Sequence, residues 1–120
     1  MIATIPDPPY TAVIFTSLRA AVDEPGYPET AARMEALASQ QPGYLGIESV
    51  RDSDTRLGIT VSYWASEADA VAWKHVADHV AAQEQGIRTW YETYTVRVAT
   101  VTRSYDGGPS ENDPPNEFRS

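Results

Sequence analysis

Residues 44–65 read YLGIESVRDSDTRLGITVSYWA, and the fold depends on how this stretch divides. Two runs rich in β-branched and aromatic residues, 44–51 and 57–65, flank DSDTR, a run of turn-forming residues. The stretch reads as a β-hairpin. Side chains alternate along a strand, so in the second run Leu57, Ile59, Val61 and Tyr63 share one face. Gly58, Thr60, Ser62 and Trp64 share the other.

Each flank of the hairpin predicts a helix and then a strand. On the N-terminal side, PETAARMEALASQ (28–40) opens with Pro and Glu, which suit a helix start. Ala32, Met34, Glu35, Leu37 and Ala38 supply an amphipathic stripe, and QPG ends it. Before it, YTAVIFTSLRA (10–20) reads as a strand apolar on both faces, with Tyr10, Ala12 and Ile14 on one and Val13 and Phe15 on the other. Such a strand is covered on both sides. On the C-terminal side, Ser66 and Asp69 form a capping pattern that opens a long helix, 67–85, stopped or kinked at Gly86. A short helical piece over 87–91 and a last strand over 92–103 follow.

The order β-α-β-β-α-β is the ferredoxin-like split arrangement, an α+β fold with a four-stranded antiparallel sheet and both helices on one face. The domain spans 10–103. An N-terminal extension, 1–9, holds three prolines and starts no regular element. Residues 104–120 read as a flexible acidic tail. The sheet face away from the helices is too apolar to meet water; Phe15 and Trp64 fall there if their neighbours point to the helices. An uncovered apolar face needs a partner, so a homodimer through the sheet faces is expected. Arg97, inside an otherwise apolar strand, is expected to pair with Glu48 across the sheet, or else to bind an anionic substrate.

Composition narrows the function. The 120 residues are 42% hydrophobic and carry a net charge of −8. An acidic chain argues against nucleic acid, which needs a basic stripe, and against an electrostatic membrane anchor. There is no cysteine, so disulfides, thiolate zinc sites and a cysteine nucleophile are excluded. The start, MIATIPDPPY, lacks the pattern of a signal peptide, and no apolar run approaches the ~18 residues of a membrane span. A cytoplasmic location is expected. No dinucleotide fingerprint, P-loop or nucleophile elbow is present.

The chemistry-bearing stretch is WKHVADHVAAQ, 73–83, with the chain's two histidines, His75 and His79. At about 100° per residue, Trp73, Val76, Val80 and Ile87 form the core stripe. Gln83, His79 and His75 line one flank, where a helix would wall a pocket. A metal is not expected. HVADH is not H-E-x-x-H, Asp78 points away from both rings, and a site needs a third ligand. A histidine on a helix flank is also commonly a plain surface residue, and Trp73 on the stripe commonly packs.

The runs GYLGIESVRDSDTRLGITVSYW (43–64) and AWKHVADHVAAQEQGIRTWYETYTVRVATV (72–101) resemble the antibiotic biosynthesis monooxygenase family, of the dimeric α+β barrel superfamily. The resemblance covers about residues 10–103. It implies a homodimer whose sheets close a barrel, with a small-ligand pocket in each subunit between sheet and helices. Members include oxygenases that hydroxylate polycyclic aromatics without metal or flavin, and others that bind and degrade haem. In the haem degraders a histidine on the second helix ligates iron. Aligned from Trp73 that position falls at Gln83, and the first strand lacks their asparagine. The expected activity is cofactor-independent monooxygenation of an aromatic or quinone-like substrate with molecular oxygen. The expected site has His79 as base, Gln83 as oxyanion donor and His75 beside them. Trp64, Trp73, Tyr63 and Phe15 are expected as aromatic walls, with Trp90, Tyr91 or Tyr94 closing the pocket. Haem binding or degradation is the alternative; a non-catalytic ligand-binding dimer is another.

Overall fold

A computed structural model describes residues 2–20, 27–83 and 90–108. Its elements run β1 (Tyr10–Arg19), α1 (Tyr27–Ser39), β2 (Tyr44–Arg51), β3 (Leu57–Trp64), α2 (Glu67–Gln83) and β4 (Tyr91–Val101). The sheet order is β2-β3-β1-β4, antiparallel throughout. This is the expected ferredoxin-like fold. The short helix expected at 87–91 and the stop at Gly86 lie outside the described residues, except that Tyr91 already belongs to β4. The same holds for 109–120; residues 104–108 have no regular structure.

Local chemistry explains the joints. In the β2–β3 loop, Asp52 accepts hydrogen bonds from the Thr55 backbone N–H at 3.1 Å and its hydroxyl at 2.7 Å, an Asx-type turn. These bonds hold the Asp52 carboxyl below its ordinary pKa. Arg56 closes the loop with φ 66°, the left-handed region. At the start of α2, Ser66 Oγ accepts from the Asp69 N–H at 3.1 Å and donates to Asp69 Oδ2 at 2.9 Å, as its capping pattern predicts. Gly43 has φ +81° and no room for a side chain, because a Cβ there would stand 2.7 Å from the Asp69 Cβ. It is glycine for both reasons.

Register sorts the faces. Val13 sits opposite Ser62 and Val98, and Phe15 opposite Thr60 and Val96. This set, with Trp64 on the same face of β3, points to the helices. The other face carries Tyr10, Ala12, Ile14, Val61 and Tyr63. Phe15 and Trp64 therefore lie under the helices, not on the uncovered face. The uncovered face is still apolar, and Val50, Leu57 and Ile59 are exposed on it. Its surface differs from the one expected because the alternation starts one residue out of phase.

Arg97 does not meet Glu48. They sit on β4 and β2, the two edges of the sheet, with β3 and β1 between them. Glu48 instead accepts from the Tyr63 hydroxyl at 2.6 Å and the Ala3 N–H at 3.0 Å. Ile5 and Ala3 lie against Gly46, where a Cβ would be 2.7 Å from Ile5 Cδ1. The N-terminal extension is thus strapped across the uncovered face at β2.

Candidate active site

The layer between sheet and helices is packed at one end and open at the other. At the packed end Trp64 is fully buried, with Ala38, Ala70, Val13 and Tyr44 around it. Its indole Nε1 donates to Ser62 Oγ at 2.9 Å, which satisfies a buried donor. Trp73 stacks on it, ring centroids 6.0 Å apart and planes 20° from parallel.

Beyond Trp73 the layer is a cavity of about 730 Å³, within the range of small-molecule sites. The space exists because the helices present small residues to it. Ala31 on α1 and Ala77 and Ala81 on α2 face larger groups on the sheet, among them Phe15, Tyr94 and Val96. Trp90 closes the far end and Tyr91 stands beside it. Phe15 makes ring contacts with Tyr91 and Tyr94 at 5.4 Å each. Tyr27 and Trp90 meet edge to face, their ring centroids 4.9 Å apart. The main helix contacts fall on β1, β2 and β3. The edge strand β4 is consequently open, and Tyr94 is 60% exposed at the mouth.

Polar groups are few. Arg51, Ser49, Thr60 and Ser62 come from the sheet. Glu35 comes from α1, and the ion pair Lys74–Asp78, at 2.7 Å, from α2. Burial, and then the charge interaction and hydrogen bond with Tyr27, push the Tyr91 phenol well above its ordinary pKa, so it stays protonated in the physiological range.

Of the residues singled out in the sequence, the cavity brings together Phe15, Trp73, Trp90 and Tyr94. Trp64 stands behind Trp73 and does not reach the cavity wall. Tyr63 lies on the opposite sheet face, bound to Glu48, with its hydroxyl pushed up to about 12 by burial and that carboxylate.

His75, His79 and Gln83 do not line the cavity; all three are exposed. Gln83 Nε2 and His79 Nε2 are 3.3 Å apart, so the pair exists, but on the outer side of α2. The face of α2 turned inward is Trp73, Ala77 and Ala81, bordered by Lys74 and Asp78. At about 100° per residue the histidines then point well over a right angle away from the cavity. The expected stripe used Val76 and Val80 instead, and that choice rotated the helix. Arg51, Tyr27 and the alanine lining were missed; the i, i+4, i+8 spacing of Trp73, Ala77 and Ala81 signalled the α2 part of that lining, and no local pattern signalled the rest.

The haem reading fits poorly with these residues. Position 83, where the resemblance puts the iron ligand, faces outward, and neither histidine lines the cavity. Among the described residues no group of three metal-ligating side chains gathers, and no helix is long and apolar enough to cross a membrane.

Comparison with known proteins agrees with this architecture. A Bacillus subtilis (strain 168) protein, the uncharacterized YqjZ, is 56% identical over 98 residues, 82% of this chain and 84% of that one. Among solved structures, SnoaB, a cofactor-independent oxygenase from Streptomyces nogalater, is similar with TM-score 0.63. It is 14% identical, over 79% of this chain and 95% of that one. A putative antibiotic biosynthesis monooxygenase from Nitrosomonas europaea gives TM-score 0.60 at 14% identity, over 88% and 99%. At these identities the structural likeness speaks for the fold. Residues 26–85 match the antibiotic biosynthesis monooxygenase family itself, and with the near relative this makes the chain a member of that family.

Proposed function

We propose that the chain is a small cofactor-independent monooxygenase that acts on an aromatic or quinone-like molecule with molecular oxygen, in the cavity between sheet and helices. The observation that carries the reading is the cavity itself: flat aromatic walls, alanine on the helix side and a small set of polar groups. A planar polycyclic molecule matches such a slot.

The chemistry needs little from the protein. An acidic C–H or O–H loses its proton, and the carbanion or phenolate passes one electron to oxygen. Recombination gives a hydroperoxide, and loss of water leaves a carbonyl: a ring CH₂ and O₂ become C=O and H₂O. The protein supplies a proton acceptor, exclusion of bulk water and donors for the developing oxyanion. The carboxylates at the lining are Glu35 and Asp78. His79 could act as the base only on a ligand held against the outer side of α2.

The subunit is proposed to work as a homodimer joined through the uncovered sheet face, where Val50, Leu57 and Ile59 are exposed. The test of the activity is oxygen uptake by the purified protein with anthrones and hydroquinones, with ¹⁸O₂ to trace the product oxygen. Catalysed uptake with one labelled oxygen in the product is expected. Saturable binding without uptake would instead make the chain a ligand-binding module.

A further inference from the structure

Two residues that line the far end of the cavity, Trp90 and Arg51, carry hydrogen-bond donors that the protein leaves partly unused, the first of them enclosed in the wall. The first is Trp90. Its side chain is 5% exposed, and its buried Nε1–H has no acceptor among the described residues. Buried indole N–H groups normally find one. The second is Arg51. Nη1 donates to the Arg56 carbonyl at 2.6 Å and the Ser17 carbonyl at 3.4 Å, and Nη2 to Ser17 Oγ at 2.7 Å. All three acceptors are neutral, and no carboxylate among the described residues pairs with this guanidinium. These bonds leave the Nε–H and one Nη2–H for another acceptor.

The guanidinium has a built seat. It lies over Gly58, where a Cβ would stand 2.5 Å from Cζ and 2.6 Å from Nη2. Any larger residue on β3 would displace it. Arg51 and Trp90 line the same cavity. Tyr91, next to Trp90 in the chain, has its ring centroid 5.9 Å from Arg51 Cζ. In a chain of net charge −8, a fixed cation with no carboxylate partner among the described residues, set in an aromatic wall, suits an anion; Lys74, the other cation among the described lining residues, is paired with Asp78.

We propose that this end of the cavity is a subsite for a negatively charged oxygen, carboxylate or phenolate, on a planar aromatic ligand. Arg51 supplies the charge, and a turn of the Trp90 ring brings its enclosed Nε1–H to the same oxygen as a second donor. The ring system then lies along Phe15 and Trp73, with its anionic end inward. This rests on the reading of the cavity as the ligand site and adds the ligand's charge and orientation. Arg51 also clamps the hairpin, and the test separates that role from binding.

The probes are 2-naphthoate, the neutral 2-naphthamide and, as a phenolate, 4-nitro-1-naphtholate, titrated into the full chain at pH 8. Affinities come from calorimetry, and the indole N–H resonances are followed by ¹H–¹⁵N NMR, with Trp90→Phe giving the assignment. At least one anion is expected to bind about tenfold or more tighter than the amide, the scale of a charge-assisted contact. The same anion is expected to shift the Trp90 indole resonance saturably. Which anion does so identifies the oxygen. In Arg51→Met the preference falls to near unity while amide binding persists. Equal affinities in the wild type, a preference that survives Arg51→Met, or an unmoved Trp90 resonance overturns the subsite. If Arg51→Met does not fold, the wild-type ratio and the Trp90 shift decide. Anion preference without oxygen uptake on any substrate sinks the oxygenase reading alone; uptake on neutral substrates without anion preference sinks the subsite alone.

Discussion

Trp64 and Trp73 stack on each other yet do different work, and burial is what separates them. Trp64 is fully enclosed, with its indole nitrogen bonded to Ser62; Trp73 is half-buried and turns its free face to the cavity. Trp64→Ala should cost ~3–5 kcal/mol, the usual toll for a buried tryptophan, read as a lowered urea midpoint. His79→Ala should change stability by less than about 0.5 kcal/mol, as for exposed sites away from special features, and should keep oxygen uptake within about twofold. A large loss of uptake in a folded His79→Ala protein would return the histidine to the chemistry. At this scale the sequence was legible for aromatic content and poor for direction. It marks Phe15, Trp73, Trp90 and Tyr94, but strand alternation alone leaves open which face of β3 holds Trp64 and which holds Tyr63. An exposed histidine and a pocket histidine look the same in a string of letters.

The strands and caps were readable because their signals are local. Alternation gives β1 to β3 within a residue or so, and Ser66 with Asp69 starts α2 where expected. The facing of α2 was not readable. Valine at 76 and 80 and alanine at 77 and 81 offer two apolar faces, and the contest is settled by what lies beneath, which is a cavity. The strap formed by the N-terminal extension was equally hidden, since it hangs on a backbone N–H and on Glu48. That carboxylate is held below its ordinary pKa of 4.5, first by the Tyr63 hydroxyl and then by the Ala3 N–H. A lowered folded value means the stabilisation is complete above about pH 4.5 and is lost as pH falls through the folded value. Below pH 4 the strap should loosen, seen as a smaller protection factor for the Ala3 amide, its exchange rate taken relative to the intrinsic rate at the same pH. Glu48→Gln should exchange faster at neutral pH and show a weaker acid dependence. An unchanged Ala3 protection factor between pH 7 and pH 3.5 in the wild type would contradict this.

As a whole, the molecule is a sheet with one face half-filled by helices and the other left apolar. The half-filled face makes the cavity; the apolar face calls for a second copy. Sedimentation at micromolar concentration should give a dimer, and Ile59→Asp with Leu57→Asp should weaken it, since each places a charge in a face that would otherwise be buried. A monomer at that concentration would leave the exposed Val50, Leu57 and Ile59 unexplained. The fold class followed from element order, because two helices packed on one side of a four-stranded sheet admit few arrangements. The cavity did not follow, since it depends on where alanine faces tyrosine across a layer. Ala77 and His79, on opposite sides of α2, separate chemistry in that space from chemistry outside it. The most direct measurement is oxygen uptake with an anthrone substrate by wild type, Ala77→Phe and His79→Ala, each checked for fold by circular dichroism. Filling the cavity with Phe at 77 should lower kcat/KM by about a hundredfold or more, the effect expected when substrate is displaced from its productive position, while His79→Ala turns over normally. Full activity in Ala77→Phe, with loss in His79→Ala, would move the chemistry to the outer side of α2 and contradict the account.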